Sequence, residues 1–160
     1  MKPVTSASHP SRWIAGLLLG VGSCSLLPAA EAVRVTDNAS LNSALRGASA
    51  GTVIRLAPGR YQPGVFAANL QGTGERPIVI EGADPDRPPL FEGGKVAWQL
   101  SDCAHLVLRN IAVRGQQANG INIDDGGSYD TPSHHLVLER IHGSDVGPQG
   151  NFDGIKLSGV

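Results

Sequence analysis

The sequence is poor in aromatic side chains (4%), in charged residues (17%) and in cysteine, which occurs only at Cys24 and Cys103. Each scarcity excludes a class of protein. The formal net charge is −1 and neither sign forms a run, so there is no basic stripe for a nucleic-acid backbone. Two cysteines cannot supply a disulfide framework. No apolar run is long enough to span a bilayer. The 41% hydrophobic fraction excludes a disordered chain. What abounds is punctuation: 21 glycines and 11 prolines, one residue in five. So many glycines are incompatible with a bundle of long helices, and no glycine recurs strictly at every third position as collagen requires. The composition predicts many short strands and turns.

Residues 1–32 read as a secretory signal peptide. Lys2 and Arg12 precede the apolar run Trp13–Val21, and Ala30-Glu31-Ala32 has the small-x-small form of a cleavage site. Cleavage is expected after Ala32 or Ala30, with a secreted or periplasmic product. Val21-Gly22-Ser23-Cys24 also resembles a lipoprotein box, in which a lipidated Cys24 anchors the protein at the cell envelope. Either way Cys103 has no partner for a disulfide, and its neighbours mark it as a small buried hydrophobe.

Residues 33–160 carry a repeat. Ile78-Val79-Ile80-Glu81 matches Leu106-Val107-Leu108-Arg109 and Leu136-Val137-Leu138-Glu139, with Val53-Ile54-Arg55-Leu56 as an earlier member aligned on Ile78. A second set alternates with it: Trp98-Gln99-Leu100-Ser101, Ile121-Asn122-Ile123-Asp124 and Ile155-Lys156-Leu157-Ser158. Two interleaved strand families with a common period predict a β-helix solenoid. Alternation sends Ile78, Leu106 and Leu136 inward and puts Glu81, Arg109 and Glu139 in one outward column of alternating sign, a stabilising ladder. Within residues 36–49, Thr36-Asp37-Asn38 supplies caps and Leu41, Ala44, Leu45 and Ala48 share a helical face, predicting a helix that covers the open end. The chain stops just after a repeat strand, so it is expected to be the N-terminal portion of a longer protein.

Two insertions, 124–133 and 142–151, flank the short Ile-x-Ile strands, and loops on a rigid scaffold are where function concentrates. The outward column between them reads Gln99, Asn122, Lys156, with Asn119-Gly120 stacked against Asp153-Gly154. Asn119 and Asn122 read equally well as turn residues. Lys156 is a lone cation between acid-bearing loops. Asp124, Asp125, Asp145 and Asp153 offer hard oxygen ligands for Ca²⁺, and a solvated turn at Asp124-Asp125-Gly126-Gly127 is the plainer reading. His134-His135 and His105 read as a stacked surface column with no zinc-type spacing, whereas His142 stands at a loop entrance and could face the site.

Leu41-x-x-Ala44-Leu45 and Gly51-Thr52-Val53-Ile54-Arg55-Leu56-Ala57-Pro58-Gly59-Arg60-Tyr61 resemble the capping helix and first turn of the pectin-lyase-like superfamily. The resemblance implies an all-β fold, a right-handed parallel β-helix with an N-terminal capping helix. Asp153-Gly154-Ile155-Lys156-Leu157 is similar to the segment that supplies the lysine base of calcium-dependent pectate lyases. It implies catalytic roles for Lys156 and Asp153, and Ca²⁺ ligation by Asp124, Asp125 and Asp153. Asn151-Phe152-Asp153-Gly154-Ile155 resembles a segment of the polygalacturonases, which implies instead a hydrolase using Asp153. Asn122, Asn151 and His142 are the candidate substrate-binding residues. The expectation is an exported monomer acting by β-elimination on an acidic polysaccharide, with a hydrolase or a non-catalytic carbohydrate-binding repeat protein as alternatives.

Overall fold

The computed structural model describes residues 31–150 and 152–160. Residues 1–30 of the expected leader, with Cys24, and the candidate Asn151 lie outside them. The first strand, β1 (Val33–Val35), leads into helix α1 (Asn38–Arg46). Asp37 caps that helix: its Oδ1 accepts from the Ser40 amide at 2.7 Å, while the Ser40 hydroxyl oxygen accepts from the Asp37 amide at 3.2 Å. This reciprocal pair satisfies donors that a bare helix start leaves open. Leu41, Ala44 and Leu45 form the buried face, which packs on β1, β2 and β4.

The remaining elements are strands: β2 (Val53–Leu56), β3 (Arg60–Tyr61), β4 (Val65–Ala68), β5 (Ile78–Gly82), β6 (Leu90–Glu92), β7 (Trp98–Ser101), β8 (Ala104–Arg114), β9 (Ile121–Asp124), β10 (His134–Ser144) and β11 (Ile155–Leu157). Every pairing between them is parallel. Seven strands form one sheet in the order β1-β2-β5-β8-β6-β3, with β10 also on β8; the other four run β11-β9-β7-β4. Ile78 pairs with Leu106 and Leu106 with Leu136, while Trp98, Ile121 and Ile155 align in the smaller sheet.

The expectation of an all-β, right-handed parallel β-helix solenoid is corrected by the sheet topology. β8 and β10 each run for 11 residues through a corner, whereas the corresponding segments elsewhere are separate short strands. β8 is thereby shared by β5, β6 and β10. The result is a curled half-barrel of seven parallel strands facing a four-stranded parallel sheet, with one short helix among the described residues. It is closer to an α/β arrangement than to a stack of equivalent turns. The corner is made by left-handed residues, Asn110 (φ 54°) and Arg140 (φ 49°), which bend a strand without ending it. Arg140 Nε donates to Asn110 Oδ1 at 2.5 Å, and Asn110 Nδ2 donates to the Gly82 carbonyl at 3.4 Å. Gly82 is required there, since a Cβ on it would lie 2.3 Å from the Asn110 carbonyl oxygen.

A second correction concerns register. β2 pairs one residue later than the sequence alignment on Ile78 placed it, so Ile54 lies opposite Ile80 and Arg55 opposite Glu81. A one-residue slip exchanges the faces of a strand, and this register keeps Ile54 and Leu56 inside and Arg55 outside. Arg55 thereby joins the outward column: it reaches Glu81 at 2.7 Å, Glu81 reaches Arg109 at 2.6 Å, and Arg109 lies 3.9 Å from Glu139. A second column, Arg60–Glu92–Arg114, runs beside it.

Both sheets enclose one apolar core, in which Ile54, Leu56, Ile78, Ile80, Leu100, Leu108, Ile121 and Ile123 are fully buried. Within it Tyr61 stacks on Phe91 and Phe91 meets Trp98 edge-on, with centroids 5.2 and 5.0 Å apart. Few as they are, three of the aromatics are core residues. Cys103 is buried, and burial pushes its thiol up from the ordinary value, which makes it a poor nucleophile.

Candidate functional site on the four-stranded sheet

In β7, β9 and β11 the apolar residues alternate with polar ones, so Trp98, Leu100, Ile121 and Ile123 enter the core and their neighbours face outward. Parallel register then lines up Phe66, Gln99, Asn122 and Lys156 in one row, and Ala68, Ser101 and Asp124 in the next. The outer face is therefore a polar ladder with exposed Phe66 at one end and exposed Lys156 on edge strand β11 at the other.

Asp124 is the hub of the ladder. Its Oδ1 accepts from the Ser101 hydroxyl at 2.7 Å and from the Gly126 amide at 3.1 Å; its Oδ2 accepts from Gln99 Nε2 at 2.8 Å and Asn122 Nδ2 at 3.1 Å. Partial burial raises the Asp124 carboxyl, but these donors outweigh it and the pKa falls below the ordinary aspartate value. Asp124 is thus an anion with its lone pairs engaged. Asn122 Nδ2 also donates to Gln99 Oε1 at 2.8 Å, which leaves Asn122 Oδ1 buried and without a protein partner. Lys156 is the residue paired with Asn122 on the next strand. Trp98 Nε1 and Gln116 Oε1 are likewise buried without a protein partner among the described residues, so this oxygen marks a local packing feature and the outward-facing group of the row is Lys156.

The 124–133 insertion is tied back at its far end. Fully buried Ser133 donates from its hydroxyl to the Asp124 carbonyl at 2.7 Å and accepts from the Cys103 amide at 3.0 Å. Asp125 lies within that insertion, where its Oδ1 accepts from the Gly127 amide at 3.0 Å and its carboxylate packs against Gly159.

The other candidates are dispersed. The Asp153 amide donates to Asn119 Oδ1 at 3.0 Å, at the start of β11, whereas Asp124 and Asp125 stand at the end of β9. β9 separates them by roughly 13 Å at about 3.3 Å per residue. Asp145 follows β10 on the seven-stranded sheet, and His142 lies within β10, paired with Ala112 near Leu90 and Arg114. His142 therefore does not share a face with Asn122 and Lys156. Asp124, Asp125 and Asp153 do not form one shell, and the oxygens of Asp124 already serve four donors, so this set does not fit a Ca²⁺ ion. Among the described residues, the group of three ligand-type side chains with mutually close donor atoms is His105, His134 and His135.

Asn122, Lys156 and Asp124, singled out from the sequence, lie on neighbouring strands of one face, whereas the hold of Gln99 and Ser101 on Asp124 was not foreseen. The available signal was the alignment of Trp98-Gln99-Leu100-Ser101 with Ile121-Asn122-Ile123-Asp124, which places Ser101 beside Asp124.

No family model matches the chain, and no curated protein matches it. Among solved structures, it is similar to an alginate lyase from Paenibacillus sp. str. FPU-7, with a TM-score of 0.62 and 22% sequence identity. The match covers 79% of this chain and 43% of that one, so the chain spans less than half the length of this neighbour. The likeness is one of fold.

Proposed function

We propose that the chain acts on an acidic, uronate-containing polysaccharide by β-elimination, on the outer face of the four-stranded sheet. The observation that carries the reading is the outward polar row in which parallel register sets exposed Lys156 beside Asn122 and the anion Asp124 lies in the adjoining row. The fold likeness to an alginate lyase supports the substrate class. In this reading Lys156 removes the proton on the carbon that bears the uronate carboxylate. The C–H electron pair becomes a ring C=C bond, the bond to the glycosidic oxygen breaks, and that oxygen leaves as a hydroxyl after taking up a proton. Asn122, held in place by Gln99 and Asp124, borders the position of the ring beside the amine. Phe66 offers an apolar surface along the same row.

The protein is exported in this reading, and strand β1 begins at Val33, directly after the Ala32 cleavage position. Lipidation at Cys24 is the alternative route to the envelope. The test is incubation with alginate and with polygalacturonate, followed at about 235 nm where the unsaturated product absorbs, with and without a chelator that removes Ca²⁺. Absorbance that grows with wild type and not with Lys156→Ala is expected. New reducing ends without absorbance, lost in Asp153→Asn, mean hydrolysis instead, and binding without either product means a carbohydrate-binding module.

A further inference from the structure

Two histidines adjacent in a strand point to opposite faces. His134 and His135 open β10, yet their Nδ1 atoms lie 2.8 Å apart. The left-handed backbone of His135 (φ 53°) breaks the alternation, and His105 one strand away has the same conformation (φ 48°). The His105 ring stacks on His135 with centroids 4.4 Å apart and meets His134 edge-on at 5.5 Å. One ring nitrogen from each of the three histidines lies within 4.8 Å of the others. Ring stacking joins His105 to His135, and a hydrogen bond between Nδ1 atoms joins His134 to His135, with one nitrogen donating and the other presenting its lone pair.

We propose that His105, His134 and His135 form a binding site for a borderline-soft divalent transition-metal ion of the zinc or copper class. Two nitrogens on one tetrahedral zinc stand roughly 3.3 Å apart, given bonds of about 2.0–2.1 Å. The Nδ1 atoms of His134 and His135 are 2.8 Å apart and all three nitrogens lie within 4.8 Å of one another, so small side-chain rotations bring the set to that spacing. Three neutral imidazoles suit zinc, copper or nickel, and Ca²⁺ and Mg²⁺ require oxygen donors instead. His134 and His135 are exposed, so the ion enters from solvent and retains room for a water ligand. The site is independent of the ladder on the four-stranded sheet. It joins the end of the 124–133 insertion to β8, and a bound ion would clip that loop to the half-barrel.

The experiment is a calorimetric titration of the metal-free full chain with Zn²⁺, paired with electron paramagnetic resonance of the Cu²⁺ form. One ion per chain is expected, with coupling to more than one nitrogen in the copper spectrum. His105→Asn and His134→Asn each weaken zinc binding at least about tenfold, and His142→Asn, elsewhere on β10, leaves it unchanged. Circular dichroism of each variant checks folding, and exposed His134 provides a substitution that leaves the core untouched. Unchanged zinc affinity in a folded His105→Asn/His134→Asn double variant overturns the proposal, as does absence of binding to the wild type.

Discussion

The hydroxyl of Ser101 on β7 donates to Oδ1 of Asp124 on β9 across 2.7 Å. This bond couples a strand pair to the first residue of the 124–133 insertion, and through Asp124 it orients the amides of Gln99 and Asn122.

That arrangement sets a pH dependence. The folded-state pKa of Asp124 is depressed, so its contribution to stability is complete above the ordinary aspartate range and is lost as pH falls through the lowered value. Asp124→Asn should lower stability at neutral pH by about 1 kcal/mol, reduced from a fully buried case because the carboxylate is partly exposed. It should also flatten the decline in Tm below about pH 4. Thermal melts from pH 3 to 7 or so check both; a variant profile parallel to wild type counts against the role of Asp124 as hub.

The ladder of charges on the seven-stranded sheet is uneven. Glu81 is 6% exposed and accepts from Arg55 and Arg109, whereas the Arg109–Glu139 contact is 3.9 Å long with both side chains over a third exposed. Burial raises the Glu81 carboxyl, but the two arginines outweigh it and bring it below the ordinary glutamate value. Glu81→Gln should therefore cost about 2–3 kcal/mol, leaving Arg55 and Arg109 without their shared anion. Glu139→Gln should cost no more than about 0.5 kcal/mol. Urea denaturation of the two variants gives the comparison, and equal losses would contradict it.

Asn110 occupies the corner in a left-handed conformation with its amide bonded on both sides. Asn110→Ala should destabilise by about 2 kcal/mol, combining the left-handed backbone penalty with lost hydrogen bonds. Asn110→Gly should lose less, because glycine removes the backbone penalty alone. Chemical denaturation of both variants tests the order.

For the proposed elimination, Lys156→Ala should reduce kcat by about 10²–10⁴-fold with little change in Tm, since Lys156 is exposed on an edge strand. Asn122→Ala should act mainly on KM. Initial rates at several substrate concentrations separate the two effects, and an undiminished kcat in Lys156→Ala removes lysine from the mechanism.

Strand faces were legible wherever apolar residues alternate strongly, as in Leu106-Val107-Leu108-Arg109, because alternation is a local property of the pleat. The helix was legible from Asp37 and the spacing of Leu41, Ala44 and Leu45. Strand β4 was not, since Val65-Phe66-Ala67-Ala68 carries an exposed phenylalanine and small residues where a pattern would need contrast. The register of β2 was missed by one residue because the choice depends on Arg55 meeting Glu81, 26 positions away. Of the candidate site, Asn122 and Lys156 stand together, but Asp153, Asp125 and His142 are carried to other places by strand ends and sheet membership.

The sequence by itself determined which residues face inward along the strongly alternating strands such as β5 and β8, where the helix begins, and that opposite charges would form a column. Tertiary structure decided that β8 and β10 pass through the corner and merge short strands into a half-barrel. It also decided that three histidines converge while three aspartates do not. The reason is physical: burial follows from side-chain alternation over a few residues, whereas a left-handed φ at Asn110 or His135 is stabilised only by contacts made once distant strands lie side by side.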